Sequence, residues 1–158
     1  MKKKTSVIIP GSYDPVTLGH LDVIKRASEE YESVYAVVFI NDDKKYLFSL
    51  EDRVKMLMLA TEDLDNVLVS YSLGYVVDYM REHNIQKIIK GYRNDTDLEY
   101  ERVQSEYNKS HGGYETELLL SKEEYSNVSS TLARELIKSG GVLDNVLPDK
   151  VISFIKSR

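Results

Sequence analysis

The chain has 158 residues, 42% of them apolar and 30% charged, with no cysteine and a net charge of −5 from 21 basic and 26 acidic side chains. This length suits one domain with its own core, and the lack of cysteine excludes a disulfide framework and any thiolate metal site. The acidic balance argues against a nucleic-acid-binding surface, no apolar run is long enough to span a membrane, and the apolar stretch after the basic Met1–Lys4 ends at Pro10, too early for a signal peptide. The chain therefore reads as cytoplasmic, and the sequons at Asn108 and Asn127 carry no weight.

In chain order, Thr5–Ile9 is a β-branched apolar run closed by Pro10-Gly11, which predicts a buried strand. Leu18–Tyr31 carries Leu21, Ile24 and Ala27 at helical spacing, Val34–Ile40 reads as a second strand, and Asn41-Asp42-Asp43 reads as a polar loop. Ser49 is placed to cap a helix, with Asp52 in a capping-box-like position. Strands at Val67–Tyr71, Gln86–Ile89 and Glu117–Leu120 alternate with helices at Val76–His83 and Asp97 to about Lys109. Ser129 or Ser130 caps a further helix ending at Gly140-Gly141, and Pro148 opens the last helix at its first position. The alternation predicts a five-stranded parallel sheet with helices on both faces, a Rossmann-like α/β fold in one domain (residues 1–158). Ligands bind such sheets beyond the carboxyl ends of the strands, where the strand order reverses. An acidic chain that binds polyphosphates must gather cations at one place, and Lys44, Lys45, Lys90 and Arg93 are the candidates.

The loop after the first strand reads Pro10-Gly11-Ser12-Tyr13-Asp14-Pro15-Val16-Thr17-Leu18-Gly19-His20. It is neither a P-loop nor a dinucleotide fingerprint. Gly11 allows close backbone approach, Ser12 supplies a hydroxyl, and Gly19-His20 falls at a helix start, where free N–H groups and the dipole favour anions. His20 on its own could equally pack or cap the helix. Asp14 reads as a residue holding the loop backbone, and Pro10 and Pro15 as turn formers.

Gly-Ser-Tyr-Asp-Pro followed by Thr-x-Gly-His resembles the signature of the Thr/His-x-Gly-His nucleotidyltransferases. Three further segments resemble the bacterial phosphopantetheine adenylyltransferase family in the same order along the chain. They are Lys44-Lys45 ahead of Phe48–Val54, Gly91-Tyr92-Arg93 ahead of Asp97–Glu101, and Tyr125–Thr131. The resemblance implies transfer of the adenylyl group of ATP to 4′-phosphopantetheine, giving dephospho-coenzyme A and pyrophosphate with Mg²⁺ assisting. The Mg²⁺ would ride on the phosphates, so no protein metal ligand is nominated. It also implies a homohexamer built as a dimer of trimers, with no nucleic-acid or membrane partner.

Carried over by position, the resemblance assigns His20, Ser12, Lys44 and Arg93 to catalysis. It gives the nucleotide Ser12, Tyr13, His20, Gly91, Tyr92, Arg93, Glu101 (near the ribose), Tyr125, Ser126, Asn127 and Val128. The β- and γ-phosphates would be held by Ser129, Ser130 and Thr131, whose hydroxyls at a helix start also form an anion site on physical grounds. Ser12, Lys44, Val76 and Lys90 would meet the acceptor. Two positions depart from the family: Lys90 stands where arginine is usual, keeping the charge without the planar fork, and Tyr125 stands where tryptophan is frequent. The stretch Arg102–Tyr114 is also more polar than the family's. These departures leave room for another phosphorylated acceptor or for CTP, and a non-catalytic nucleotide-binding regulator is a third reading. His83 and His111 receive no role, and the scattered tyrosines read as amphipathic packing rather than base-stacking platforms.

Overall fold

The computed structural model describes residues 1–41 and 43–158. Asp42, the middle of the polar loop expected after the second strand, lies outside the described residues. Five strands form one sheet: β1 (Lys3–Gly11), β2 (Tyr31–Phe39), β3 (Val67–Ser72), β4 (Lys87–Tyr92) and β5 (Glu115–Leu120). All pairings are parallel and the order is β3-β2-β1-β4-β5. The chain lays β2 and β3 on one side of β1, then crosses to place β4 and β5 on the other. The order thus reverses between β1 and β4, where the ends of both strands open a crevice.

Alternation along the strands divides the core into two layers. Val7 and Ile9 join one cluster with Val23, Ile24 and Ala27 of α1 (Leu18–Glu30), Met56 and Leu57 of α2 (Leu50–Thr61), Ala133 of α5 (Ser130–Ser139) and Val151 of α6 (Asp149–Lys156). Ile8, Val37 and Ile88 face the other way, toward Tyr79 and Met80 of α3 (Val76–Glu82) and Tyr114, just beyond α4 (Asp95–Gly112). Both faces of the sheet are covered, as the near-continuous apolar strands require.

Several boundaries move for identifiable reasons. β4 continues past Ile89 through Lys90-Gly91-Tyr92, because these residues pair with Leu118–Leu120 of β5. Gly91 is needed there: a Cβ would stand 2.8 Å from Val23 Cγ2, so its absence lets α1 lie close on β4. The helix expected at Asp97 starts at Asp95, because Asn94 accepts the Asp97 N–H and caps it two residues earlier. Ser49 caps α2 by accepting the Asp52 N–H, but no reciprocal bond from Asp52 makes a capping box. Pro148 is the cap of α6 rather than its first residue, with extended backbone at ψ 148°. Gly140 ends α5 in the left-handed region at φ 73°. Among the described residues no helix is long and apolar enough to cross a membrane.

Candidate active site

The crevice at the strand-order reversal is a cleft of about 560 Å³, of the size that takes a nucleotide-sized ligand. Its floor is the loop after β1, and that loop is held from within. Tyr13 lies at φ 47°, buried, with its hydroxyl donating to the Ile9 carbonyl at 2.7 Å. Burial raises the Tyr13 phenol above its usual range, so it stays protonated and keeps donating. Asp14 is buried, and its carboxylate accepts the Leu47 and Phe48 N–H groups at 2.8 and 2.9 Å. The buried Arg53 donates to the Ser12 carbonyl at 3.1 Å and lies over the Tyr46 ring at 3.8 Å. Asp14 and Arg53 together fasten the segment carrying Lys44 to the segment carrying Ser12, and Lys44 Nζ reaches Ser12 Oγ at 3.4 Å.

Thr17 and His20 close a capping box at the start of α1. The His20 N–H donates to Thr17 Oγ1 at 3.3 Å, and the Thr17 N–H donates to His20 Nδ1 at 3.0 Å. An Nδ1 that accepts a backbone N–H cannot carry a proton in the neutral ring, so the proton sits on Nε2. Burial, with the charges of Lys90 and Arg93, lowers the His20 pKa to about 4. At neutral pH His20 is therefore an uncharged imidazole with Nε2–H as its donor, on the cleft wall. The reading of His20 as a helix cap holds, and the cap fixes the tautomer that leaves Nε2 free to donate.

The helix starts are less open to anions than the sequence suggests. At α1 the Leu18 N–H goes to the Val146 carbonyl at 2.9 Å and the His20 N–H goes to Thr17, which leaves Gly19. At α5, Ser129 caps the Leu132 N–H at 3.0 Å, Ser130 Oγ donates to the Pro15 carbonyl at 2.9 Å, and Thr131 Oγ1 accepts from Arg134 Nη2 at 3.2 Å. The three hydroxyls are thus engaged within the protein: Ser129 and Thr131 on α5 itself, and Ser130 on the first loop. The Ser130 and Thr131 N–H groups remain without a partner among the described residues.

Cations gather at the cleft despite the chain's net negative charge. Lys44, Lys90, Arg93 and Arg134 all line it, while Lys45 does not. Arg93 is braced by Asp97, with Nε to Oδ2 at 3.0 Å. Arg134 donates to the Asp14 carbonyl at 2.9 Å. Lys90 Nζ stands 3.2 Å from Glu101 Oε2 and 3.4 Å from the Pro10 carbonyl.

Known proteins resemble the chain over most of its length. Residues 8–136 match the model of the cytidylyltransferase-like family. A protein of Clostridium novyi (strain NT) named phosphopantetheine adenylyltransferase is 43% identical over 149 residues, covering 94% of this chain and 92% of its own. The chain belongs to the phosphopantetheine adenylyltransferase family. A solved structure from Vibrio parahaemolyticus, provisionally assigned as a nicotinate-nucleotide adenylyltransferase, superposes with a TM-score of 0.72 at 16% identity. It covers 98% of this chain and 93% of its own, and at that identity it speaks to the fold alone.

Of the candidate residues read from the sequence, the cleft brings together Ser12, Tyr13, His20, Lys44, Lys90, Gly91, Tyr92, Arg93, Glu101, Tyr125, Val128, Ser129, Ser130 and Thr131. Ser126, Asn127 and Val76 do not line it. Val76, at the start of α3, instead packs partly buried against the core layer beneath that helix. Arg134, Thr17, Tyr100 and Ser121 are cleft residues that sequence reasoning missed. Arg134 carried a usable signal: it lies three residues after Thr131, one helical turn along the same face. Tyr100 and Ser121 carried only their positions, on the helix after β4 and at the end of β5.

Proposed function

We propose that this enzyme transfers the adenylyl group of ATP to 4′-phosphopantetheine, releasing dephospho-coenzyme A and pyrophosphate. The observation that carries the reading is a neutral imidazole, locked as an Nε2–H donor, on a cleft wall that also bears Lys44, Lys90, Arg93 and Arg134. A CTP donor is not favoured, because the relative at 43% identity is named for adenylyl transfer.

The chemistry asks for position and charge stabilisation. An oxygen of the acceptor phosphate, already ionised at neutral pH, attacks the α-phosphorus. The bond from that phosphorus to the bridging oxygen breaks, and pyrophosphate leaves with the electron pair. No proton need be removed, which fits a histidine whose pKa is too low for it to serve as base at neutral pH. His20 Nε2–H donates to a non-bridging α-phosphate oxygen as negative charge builds, and Ser12 and Lys44 meet the same phosphate from the loop side. Arg93 and Arg134, with the free N–H groups of Ser130 and Thr131, hold the β- and γ-phosphates. Glu101 faces the ribose, Tyr92, Tyr125 and Val128 enclose the adenosine, and Lys90 takes the acceptor phosphate.

Mg²⁺ would assist by neutralising phosphate charge. The donor set suits an ion carried by the triphosphate and its waters: among the described residues no cluster of three carboxylates or histidines could hold a metal, and Asp14, Asp97 and Glu101 are each engaged within the protein. A hexamer of two trimers is the assembly we propose, supported by the exposed Tyr100, Val103 and Tyr107 along α4. The test of the activity is pyrophosphate release from ATP and Mg²⁺, dependent on 4′-phosphopantetheine. Intact nucleotide binding with no release would overturn it.

A further inference from the structure

One ion pair lies across the two halves of the cleft. Lys90 lies in β4, two residues before its end, and among the described residues its ammonium has two protein contacts, Glu101 Oε2 at 3.2 Å and the Pro10 carbonyl at 3.4 Å. Glu101 is buried on α4, and its second oxygen, Oε1, is closed off from solvent with no donor among the described residues. A carboxylate needs several donors when buried, so this one is held half-satisfied. It also neutralises the cation that an incoming phosphate monoester would seek. A dianion approaching Lys90 meets a fixed negative charge about 3 Å beyond it, and like charges at such range oppose each other.

ATP supplies what Glu101 lacks. Its phosphates only accept hydrogen bonds, whereas its ribose carries two adjacent O–H donors spaced for the two oxygens of a carboxylate. Exchanging one ammonium contact for two hydroxyl donors satisfies both Glu101 oxygens and releases Lys90. The released charge acts at the reacting end of the cleft, since Lys90 already influences the His20 imidazole electrostatically.

We propose that Glu101 is a positioning residue that acts as a latch, keeping Lys90 from the acceptor phosphate until the ribose diol of the nucleotide draws the carboxylate away. The inference rests on the adenylyltransferase reading above. It makes nucleotide and acceptor binding mutually reinforcing, and each must tighten the other by the same factor.

The test uses the unaltered enzyme first. Calorimetry measures 4′-phosphopantetheine binding alone, with α,β-methylene-ATP, and with the 2′,3′-dideoxy form of that analogue. The latch requires the ribonucleotide to tighten acceptor binding about five-fold or more, and the dideoxy form to have little effect although it presents the same phosphates. Equal enhancement by both analogues, or none by either in an enzyme that turns over, overturns the latch. Glu101→Gln removes the charge at nearly the same shape. It is expected to bind the acceptor without nucleotide as tightly as the unaltered enzyme does with it, with the coupling reduced toward unity. Unchanged coupling in this variant also overturns the proposal. If the unaltered enzyme releases no pyrophosphate from its two substrates, the adenylyltransferase reading fails instead. The latch is then read with inorganic phosphate as the anion, and the same two analogues decide it.

Discussion

The two sides of the cleft are built differently. On the proposed nucleotide side the polar groups are fixed by helix caps and by bonds that tie α5 to the first loop. Thr17 and His20 hold each other, Ser129 caps α5, Ser130 ties α5 to Pro15, and Arg134 spans Thr131 and the Asp14 carbonyl. On the acceptor side the two lysines rest on long contacts of 3.4 Å, and Lys90 shares its charge with Glu101. Preorganised donors suit a transition state, because they need no rearrangement when charge develops. Exchangeable contacts suit a ligand that must arrive, react and leave.

The largest expected effect breaks the fixed side. His20→Ala removes the donor proposed for the α-phosphate, and kcat should fall on the order of 10² to 10³-fold while the Kd for ATP changes little. A parallel loss of ATP affinity would mean that His20 acts in ground-state binding. The same residue leaves a pH signature. Its pKa is lowered to about 4 from an ordinary 6.5, so between these values the unfolded chain binds more protons than the folded one. The His20 contribution to stability should be flat above pH 6.5 and decline as pH falls toward 4. Thermal melts of His20→Asn, which cannot titrate there, should lose that part of the decline.

Asp14→Ala tests the join between the two sides. It leaves the Leu47 and Phe48 N–H groups without their acceptor, at a cost of about 2–3 kcal/mol of folding stability read by urea unfolding. Because those groups anchor the segment after Lys44, the acceptor KM should rise more than the ATP KM. An equal rise in both would show that the loop serves the whole cleft rather than its acceptor side.

Much of this was legible in the sequence, and the exceptions have physical causes. The alternation of strands and helices gave the parallel sheet, and the sheet placed the cleft, because crossing from β3 to β4 forces the order to reverse beside β1. Residues that act by side-chain type at the end of a strand, such as Ser12, Lys90 and Arg93, could be found from position. What could not be read was which hydroxyls and N–H groups remain available. Ser130 looks like an anion ligand in one dimension, yet its hydroxyl is spent on Pro15, 115 residues away in the chain. The burial of Glu101 on an otherwise polar helix was hidden likewise, since only the packing of α4 beside β4 and β5 creates it. Val76, carried over by resemblance with no signal of its own, opens α3 and packs, partly buried, against the core layer beneath that helix.

The smallest expected effect separates the cap at α1 from the catalytic device that shares its residues. Thr17→Ala deletes the Oγ1 that accepts the His20 N–H, which should cost about 1 kcal/mol of stability. It keeps the Thr17 backbone N–H that donates to His20 Nδ1. If that backbone bond alone fixes the tautomer, kcat should fall less than ten-fold, far short of His20→Ala, and the low His20 pKa should persist in an NMR titration. A kcat loss matching His20→Ala would mean that the Oγ1 contact to Nδ1 at 3.1 Å is what orients the ring. The fixed side of the cleft would then depend on a side chain at its most sensitive point, where the backbone N–H would otherwise suffice.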